Sequence, residues 1–386
     1  MEPTPAYDRF ASWSRGPARI VLALVCLLLV LAALTPLTAG EGVARPPSLS
    51  AALGHGETPP PPAGKPAAVQ RDEDLKLYDE VISRLRHGEH YYAIIAGEHR
   101  LHRYPLHPGF AVRLPTLAVI EATLPEAALI PLSVALMGAV LLAWWRRLAE
   151  EPGGEHLRLI AFAALFVGVS IGTTRYFFVL HELWAGQLLA LSFGLHRPGQ
   201  VAGREGRWIG AWLAAALALA IREHAFPFVL LMGAFALWHR RWREGAAWAA
   251  LALAFVVAMA VHLNLVAAMV RPDDPASASW LTLRGLNGWL SLVVLSSNLR
   301  WLPSVVAGPL VLLAVLGWSG WRSAAGAFGT LLYLGYGAAF MVAGRPDNFY
   351  WGMMVAPALL IGLAFAPMAL RGLAGAAFRV QRPALA

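Results

Sequence analysis

The sequence predicts an all-α fold, that of a polytopic helical membrane protein with a folded loop outside the bilayer. Of its 386 residues, 58% are hydrophobic and only 14% are charged, whereas a soluble domain averages about 25% charged residues. Apolar runs alternate along the chain with short turns that are rich in arginine. Runs of this length can cross the hydrocarbon core, and basic turns are typical of the cytoplasmic side of a membrane.

The length of each run and the charge of each turn predict ten spans, with both termini in the cytoplasm and a bacterial inner membrane as the location. The predicted spans are residues 20–38, 127–145, 157–172, 183–195, 208–221, 226–238, 246–270, 302–318, 325–342 and 350–370. A cleaved signal peptide is the alternative for the first run, and either choice leaves the next segment outside. Because the basic residues cluster in the turns between apolar runs, the formal charge of +8 reflects the membrane topology, and no nucleic-acid partner is predicted.

Composition divides the chain into three parts. Residues 1–40 form a cytoplasmic N-terminus and the first span, residues 41–126 form the external loop, and residues 127–386 form a nine-span membrane domain. The loop begins with a Pro-rich stretch at residues 41–70, which has the composition of a linker. A second external stretch, residues 271–301, is predicted to contain an interfacial segment.

The loop then continues with a polar amphipathic segment at residues 71–92, RDEDLKLYDEVISRLRHGEHYY. At 100° per residue, one helical stripe contains its apolar side chains Leu75, Tyr78, Val81, Ile82 and Leu85. Asp74 falls inside this stripe, whereas Asp72, Lys76, Asp79 and Ser83 point toward solvent. A carboxylate on the buried face needs a partner or a chemical task. The alternative is that Asp72, Glu73 and Asp74 are first-turn acids favoured by the helix dipole.

Two predicted hairpins are too short for the bilayer. Residues 208–238 must turn at Arg222, Glu223 and His224, which leaves about 14 residues, or about 21 Å, for each span where about 30 Å is usual. Residues 157–195 repeat the pattern, and the outer turn holds Arg175, His181 and Glu182. Polar turns at that depth either line an outward cavity or lie at the outer interface.

The last external turn reads AGRPDNFYWGMM and places Arg345, Asp347 and Asn348 beside three aromatic residues. The planar fork of arginine binds phosphate through two parallel hydrogen bonds. The alternative is a turn in which Arg345 pairs with Asp347 above an aromatic belt.

No cofactor is predicted. The first loop contains His87, His90, His99, His102 and His107, but these do not have the spacing of a zinc site, so a divalent metal is not supported. Cys26 is the single cysteine and can form no intrachain disulfide. The sequence has no Gly-rich phosphate loop and no nucleophile elbow, which argues against a nucleotide-driven pump and a serine hydrolase.

The order of these segments resembles the GT-C superfamily of integral-membrane glycosyltransferases, which use sugars carried on polyprenyl phosphates. The resemblance depends on the acidic first-loop helix, on YPLHPGFAVRLPTLAVI, on HELWAGQLLALSFGL and on GRPDNFYW, and it covers most of residues 72–367. It implies a polyprenyl-phosphate-linked sugar as donor, transfer to an unknown acceptor outside the membrane, and inversion at the anomeric carbon.

The resemblance also implies roles for individual residues. The general base would be Asp74, or Asp72 if the helix begins later, and Arg345 and Arg222 would hold the donor phosphate. Further residues are candidates for the cavity, namely Arg175, His181, Glu182, Glu223, His224, Tyr78 and Arg113.

Two other functions fit parts of the sequence. A transporter or flippase for a lipid-linked or anionic solute would use the buried charges to line a path, but a buried carboxylate on an external helix is awkward for it. A non-catalytic scaffold that recruits a partner would leave the charged hairpin turns unexplained.

Overall fold

The computed structural model describes residues 6–38, 73–197 and 207–379. This part of the chain is predominantly helical and forms no β-strand, so the predicted all-α class is confirmed. The α-helices, in chain order, are α1 (Arg15–Leu34), α2 (Glu73–Arg86), α3 (Tyr91–Leu101), α4 (Thr116–Thr123), α5 (Glu126–Glu150), α6 (Gly154–Val169), α7 (His181–Leu195), α8 (Ile209–Ile221), α9 (Phe226–Trp238), α10 (Trp242–Ala267), α11 (Gly285–Leu295), α12 (Ser304–Gly320), α13 (Ala324–Val342), α14 (Ala356–Leu359) and α15 (Gly362–Phe378).

Five described helices are long and apolar enough to cross a membrane: α1, α5, α6 with its extension to Thr173, α10 and α13. Only 11% of the apolar window of α1 and 17% of that of α10 are buried in the protein. Apolar side chains left uncovered on such helices are suited to contact with lipid. These helices indicate a membrane-associated protein. The count of ten spans stays a prediction, because the other apolar helices have only 10–17 residues.

Helix α7 lies where the sequence predicts a span at residues 183–195. Of its 15 residues, 13 are buried, so protein surrounds it on nearly every side. A helix that is apolar all round is suited to a protein interior as well as to a bilayer. The apolar run therefore predicts the helix but does not distinguish between these two surroundings.

Two other segments are more complex than the sequence suggests. The sequence predicts an interfacial segment within residues 271–301, and α11, which lies in this stretch, has its second half buried in the protein. The predicted span at residues 350–370 is not one continuous helix. The chain forms a 3-10 helix at Pro346–Met354, then α14, and α15 begins only at Gly362. Pro357 lies in the first turn of α14, where its missing N–H costs nothing.

Contacts divide the chain into two compact units. Unit 1 contains residues 1–53, 141–169 and 282–386, and unit 2 contains residues 54–140 and 170–281. The division predicted from composition, with boundaries at residues 40 and 126, separates segments inside the membrane from the external loop. It stays a prediction.

Unit 1 has its core where α1, α12 and α15 pack together, with Phe10, Leu316 and Leu373 among the buried side chains. Helices α12 and α15 approach each other closely. A Cβ atom on Gly317 would overlap the carbonyl oxygen of Gly362. A glycine at position 317 is therefore required for this helix pair to pack.

Unit 2 contains the first-loop helices, and α2 packs against both α3 and α4. The predicted stripe is confirmed for Leu75, Tyr78, Val81 and Ile82, which are all buried. Leu77, which the prediction left outside the stripe, is also buried. Asp79 is exposed, as predicted.

The predicted base residues lie at the edge of the described part of the chain. Asp72 and the Pro-rich linker at residues 41–70 lie outside the described residues. Asp74 lies in the first turn of α2, one turn before Tyr78.

Candidate functional site

A carboxylate and two guanidinium groups meet in the interior of unit 2. Glu182 is completely buried, and its Oε1 lies 2.7 Å from Nε of Arg222. Its Oε2 lies 3.7 Å from Nη1 of Arg113. Arg222 also pairs with Glu223, at 2.9 Å between Nη1 and Oε1. Because an isolated buried ion is costly, these four charges stabilise one another.

The ends of helices bring these charges together. Glu182 lies in the first turn of α7, and Arg222 directly follows α8. The chain turns through a 3-10 helix at Glu223–Ala225, and α9 then begins with Pro227 in its first turn, where proline is favoured. The two short helices predicted within residues 208–238 and the turn at Arg222 between them are therefore confirmed, and their place in a membrane stays a prediction.

The Arg113 side chain has two further neighbours. Its guanidinium carbon lies 4.7 Å from the centroid of the Tyr78 ring, and its Nη1 lies 3.4 Å from Nδ1 of His181. Nε2 of His181 lies 3.2 Å from the carbonyl oxygen of Leu114, which can only accept a hydrogen bond. His181 therefore donates from Nε2 and accepts at Nδ1, which is the pattern of a neutral imidazole.

Three side chains hold the backbone on both sides of Arg113. Nε2 of His262 donates to the carbonyl oxygen of Val112 at 3.1 Å, and the hydroxyl of Tyr91 donates to that of Arg113 at 2.6 Å. His181 donates to the carbonyl oxygen of Leu114, and we call these three hydrogen bonds the three-carbonyl clamp. Its donors come from α10, α3 and α7. The clamp thus fixes the segment from which the Arg113 side chain extends toward Glu182.

The structure brings most of the predicted cavity candidates together. Tyr78, Arg113, His181, Glu182 and Glu223 lie in or beside this buried cluster, and His224 lies in the same turn as Glu223. Arg222, predicted to bind phosphate, is only 5% exposed and already pairs with two carboxylates. A phosphate could bind Arg222 directly only by replacing one of them.

Two other predicted residues lie elsewhere. Arg175 is exposed and forms an ion pair with Glu126. Arg345 belongs to unit 1, and its Nη2 lies 2.9 Å from Oδ2 of Asp347. The turn pair considered for the last external turn is therefore present, and its guanidinium remains partly exposed.

Unit 2 also contains a cavity of about 580 Å³ beside α2. Its lining residues are Asp79, Ile82, Arg86, Glu121, Glu126, Leu129, Arg175, Tyr176, Phe178 and Val179. The volume falls within the roughly 300–1,000 Å³ that is usual for small-molecule sites. Four apolar lining residues and one charged residue, Glu121, are buried, and the exposed lining residues are all charged. The cavity thus has an apolar floor and a charged rim.

Sequence reasoning missed Tyr91, Tyr92 and His262. The hydroxyl of Tyr92 lies 2.8 Å from Nδ1 of His262, whose other nitrogen bonds to the backbone of Val112. One signal was present in the sequence, because His262 is the single histidine in the long apolar run of α10. Ionisable residues inside such a run are functional or structural candidates by default.

His99, in α3, is a buried histidine of the first loop. It is 2% exposed, and its Nδ1 lies 2.9 Å from the carbonyl oxygen of Pro105. Its Nε2 has no hydrogen-bond partner among the described residues. Burial, followed by the nearby charges of Arg113 and His102, lowers the pKa of His99 from 6.5 to about 4, against the opposing effect of the Pro105 carbonyl.

We expect acid to destabilise the protein through His99. Between pH 6.5 and about 4 the unfolded chain binds a proton at this residue and the folded protein does not, so stability falls as the pH falls. From pH 7 to pH 4.5 the expected loss is about 2–3 kcal/mol. The thermal unfolding midpoint of His99→Asn, which keeps an N–H near Nδ1 but does not titrate, should fall less than that of the wild type. Equal falls in the two proteins would contradict this role.

Within residues 6–38, 73–197 and 207–379, no three His, Cys, Asp or Glu side chains are grouped so that they could hold a metal ion. The groups brought together are instead cations, carboxylates and neutral imidazoles. No protein-family model, curated protein or solved structure matches this chain.

Proposed function

We propose that this protein is a GT-C-like glycosyltransferase that moves a sugar from a polyprenyl-phosphate donor to an acceptor outside the membrane. The observation that supports it best is the buried network of Glu182, Arg113 and Arg222, which lies against the first-loop helix α2 through the contact of Arg113 with Tyr78. Buried charges are costly in a membrane protein and are usually retained for a function.

The chemistry needs few groups. A carboxylate takes the proton of the acceptor hydroxyl, and the acceptor oxygen attacks the anomeric carbon from the side opposite the phosphate. The bond between that carbon and the phosphate oxygen breaks, and the polyprenyl phosphate leaves with the electron pair. A single displacement of this kind inverts the anomeric centre.

In this proposal Asp74 is the base, because it lies one turn before Tyr78 in α2. Arg345 is the cation that stabilises charge on the departing phosphate, since its guanidinium is partly exposed and pairs with Asp347 in a turn. Arg222 contributes as part of the buried network. It contacts the phosphate only if the phosphate displaces the carboxylate of Glu182 or Glu223 from it.

Native mass spectrometry of the purified full-length protein tests the proposal directly. We expect a co-purifying polyprenyl phospho-sugar, and we expect its loss when an acceptor-containing membrane extract is added. A protein that binds no polyprenyl phospho-sugar, supplied as a mixture of synthetic donors, would contradict the proposal.

Arg345→Gln should weaken use of the donor while the protein remains folded. A hydrogen bond to a charged group contributes about 1.5–3 kcal/mol, which corresponds to a rise of roughly tenfold or more in the apparent donor KM. Arg371→Gln, which changes an exposed arginine of α15, is the matched control. An unchanged donor KM in Arg345→Gln would remove this residue from the phosphate site.

A further inference from the structure

The cavity beside α2 combines a charged rim with an apolar floor. The rim contains two exposed carboxylates, from Asp79 and Glu126, and two guanidinium groups, from Arg86 and Arg175, while a third carboxylate, from Glu121, lines the cavity from a buried position. The floor contains four buried apolar side chains, which are Ile82, Leu129, Phe178 and Val179. Tyr176 also lines the cavity.

This combination argues against a phosphate or another polyanion as the ligand. The carboxylates outnumber the guanidinium groups, and Arg175 already pairs with Glu126. A phosphate placed here would meet unfavourable interactions with the remaining carboxylates. The guanidinium of Arg86 is also directed to protein, because its Nη2 donates to the carbonyl oxygen of Glu121 at 3.0 Å.

An acyl chain fits no better. It would cover the apolar floor but would also take water from the charged groups around it, and a charge that loses water without gaining a partner is strongly disfavoured. A metal ion is disfavoured too, because the described residues contain no group of three ligands close enough to hold one.

A neutral sugar satisfies both halves of the cavity. Its hydroxyl groups donate to carboxylates and accept from guanidinium groups, and its C–H faces pack on apolar and aromatic side chains. We propose that this cavity binds a neutral sugar residue of the acceptor. The inference rests on the proposed function and extends it by naming the acceptor class.

The position of the cavity agrees with this assignment. Asp79, Ile82 and Arg86 belong to α2, the helix that also contains Asp74. Asp79 follows Asp74 by five residues, which is about 7.5 Å along a helix axis. An acceptor held by the Asp79 part of the helix would therefore lie close to the first turn of α2. The sequence predicts that Asp79 faces solvent, and this exposed side chain also lines the cavity.

Binding by the full-length protein in nanodiscs tests the inference without any donor present. The protein is purified in a detergent that carries no sugar, and the probes are neutral disaccharides of glucose, galactose, mannose and N-acetylglucosamine, the same disaccharides on a lipid anchor, and inorganic phosphate. We expect saturable binding of at least one disaccharide. Binding of the free sugar indicates a glycan acceptor, whereas binding of the anchored form alone indicates a glycolipid headgroup, and each supports the inference.

Asp79→Asn and Arg175→Gln should each weaken disaccharide binding at least tenfold. Both residues are exposed, so neither change threatens folding. Glu80→Gln and Arg146→Gln, which change exposed charges that do not line the cavity, are the matched controls. Equal affinity in all four variants, binding of phosphate in preference to sugar, or no saturable sugar binding would overturn the inference.

Transferase assays separate this inference from the proposed function. If donor-dependent transfer occurs while Asp79→Asn and Arg175→Gln keep the wild-type acceptor KM, the cavity assignment fails alone. If the disaccharide binds as expected but no polyprenyl phospho-sugar is turned over, the proposed reaction fails and the sugar site stands.

Discussion

Asp74→Asn is expected to reduce glycosyl transfer by at least about 100-fold, because a positioned general base typically contributes about 10²- to 10⁴-fold in rate. The substitution keeps the size of the side chain and removes its charge and basicity. The loss should appear in kcat, since the variant can still bind donor and acceptor. Initial rates over a range of acceptor concentrations measure this effect.

Two other carboxylates serve as comparisons: Asp72, which precedes α2, and Asp79, which lies in it. Asp72→Asn should retain the wild-type rate, and Asp79→Asn should raise the acceptor KM while its kcat changes little. An inactive Asp72→Asn together with an active Asp74→Asn would show that the helical phase assigned from the sequence is wrong. Full activity in all three variants would leave the reaction without its base and favour a transporter.

Glu182→Gln is expected to destabilise the folded protein by about 3–5 kcal/mol, which is the usual cost of breaking a buried ion pair from one side. The substitution removes the negative charge that lies between the guanidinium groups of Arg113 and Arg222. These two positive charges then remain buried close to each other. The thermal unfolding midpoint and the yield of folded protein in nanodiscs should both fall. Glu89→Gln, at an exposed pair with Arg84, should leave the unfolding midpoint and the yield close to those of the wild type.

A double-mutant cycle distinguishes a paired role from general loss of packing. If the ion pair is the cause, Glu182→Gln combined with Arg222→Gln should destabilise less than the sum of the two single changes. Additive effects would show that the two side chains act independently. Burial of Arg222 and its pairing with Glu182 lead us to expect that Arg222→Gln is destabilised as well.

Local patterns predicted the helices and several of their faces. The stripe that begins at Leu75 and the turn at Arg222 follow from spacing along a few turns of chain, and the structure confirms the turn and four of the five apolar residues of the stripe. The surroundings of α7 and α11 could not be read in the same way, because an apolar helix carries the same composition in lipid and in a protein interior.

Pairing between distant residues was beyond sequence reasoning. Arg113 and Glu182 were both candidates, but nothing in the spacing of either residue selects the other from the many charges of the chain. The sequence also gives no sign that Asp79 and Arg175 line one cavity, since each lies on a different element that only the fold brings together.

The three-carbonyl clamp has a consequence for biosynthesis. His181 lies 67 residues after Leu114, and His262 lies 150 residues after Val112. At a synthesis rate of about 5–20 residues per second, the last donor emerges about 8–30 s after the segment that it holds. Until then water must satisfy the carbonyl oxygen of Val112, so the first loop reaches its final structure only after α10 has been synthesised.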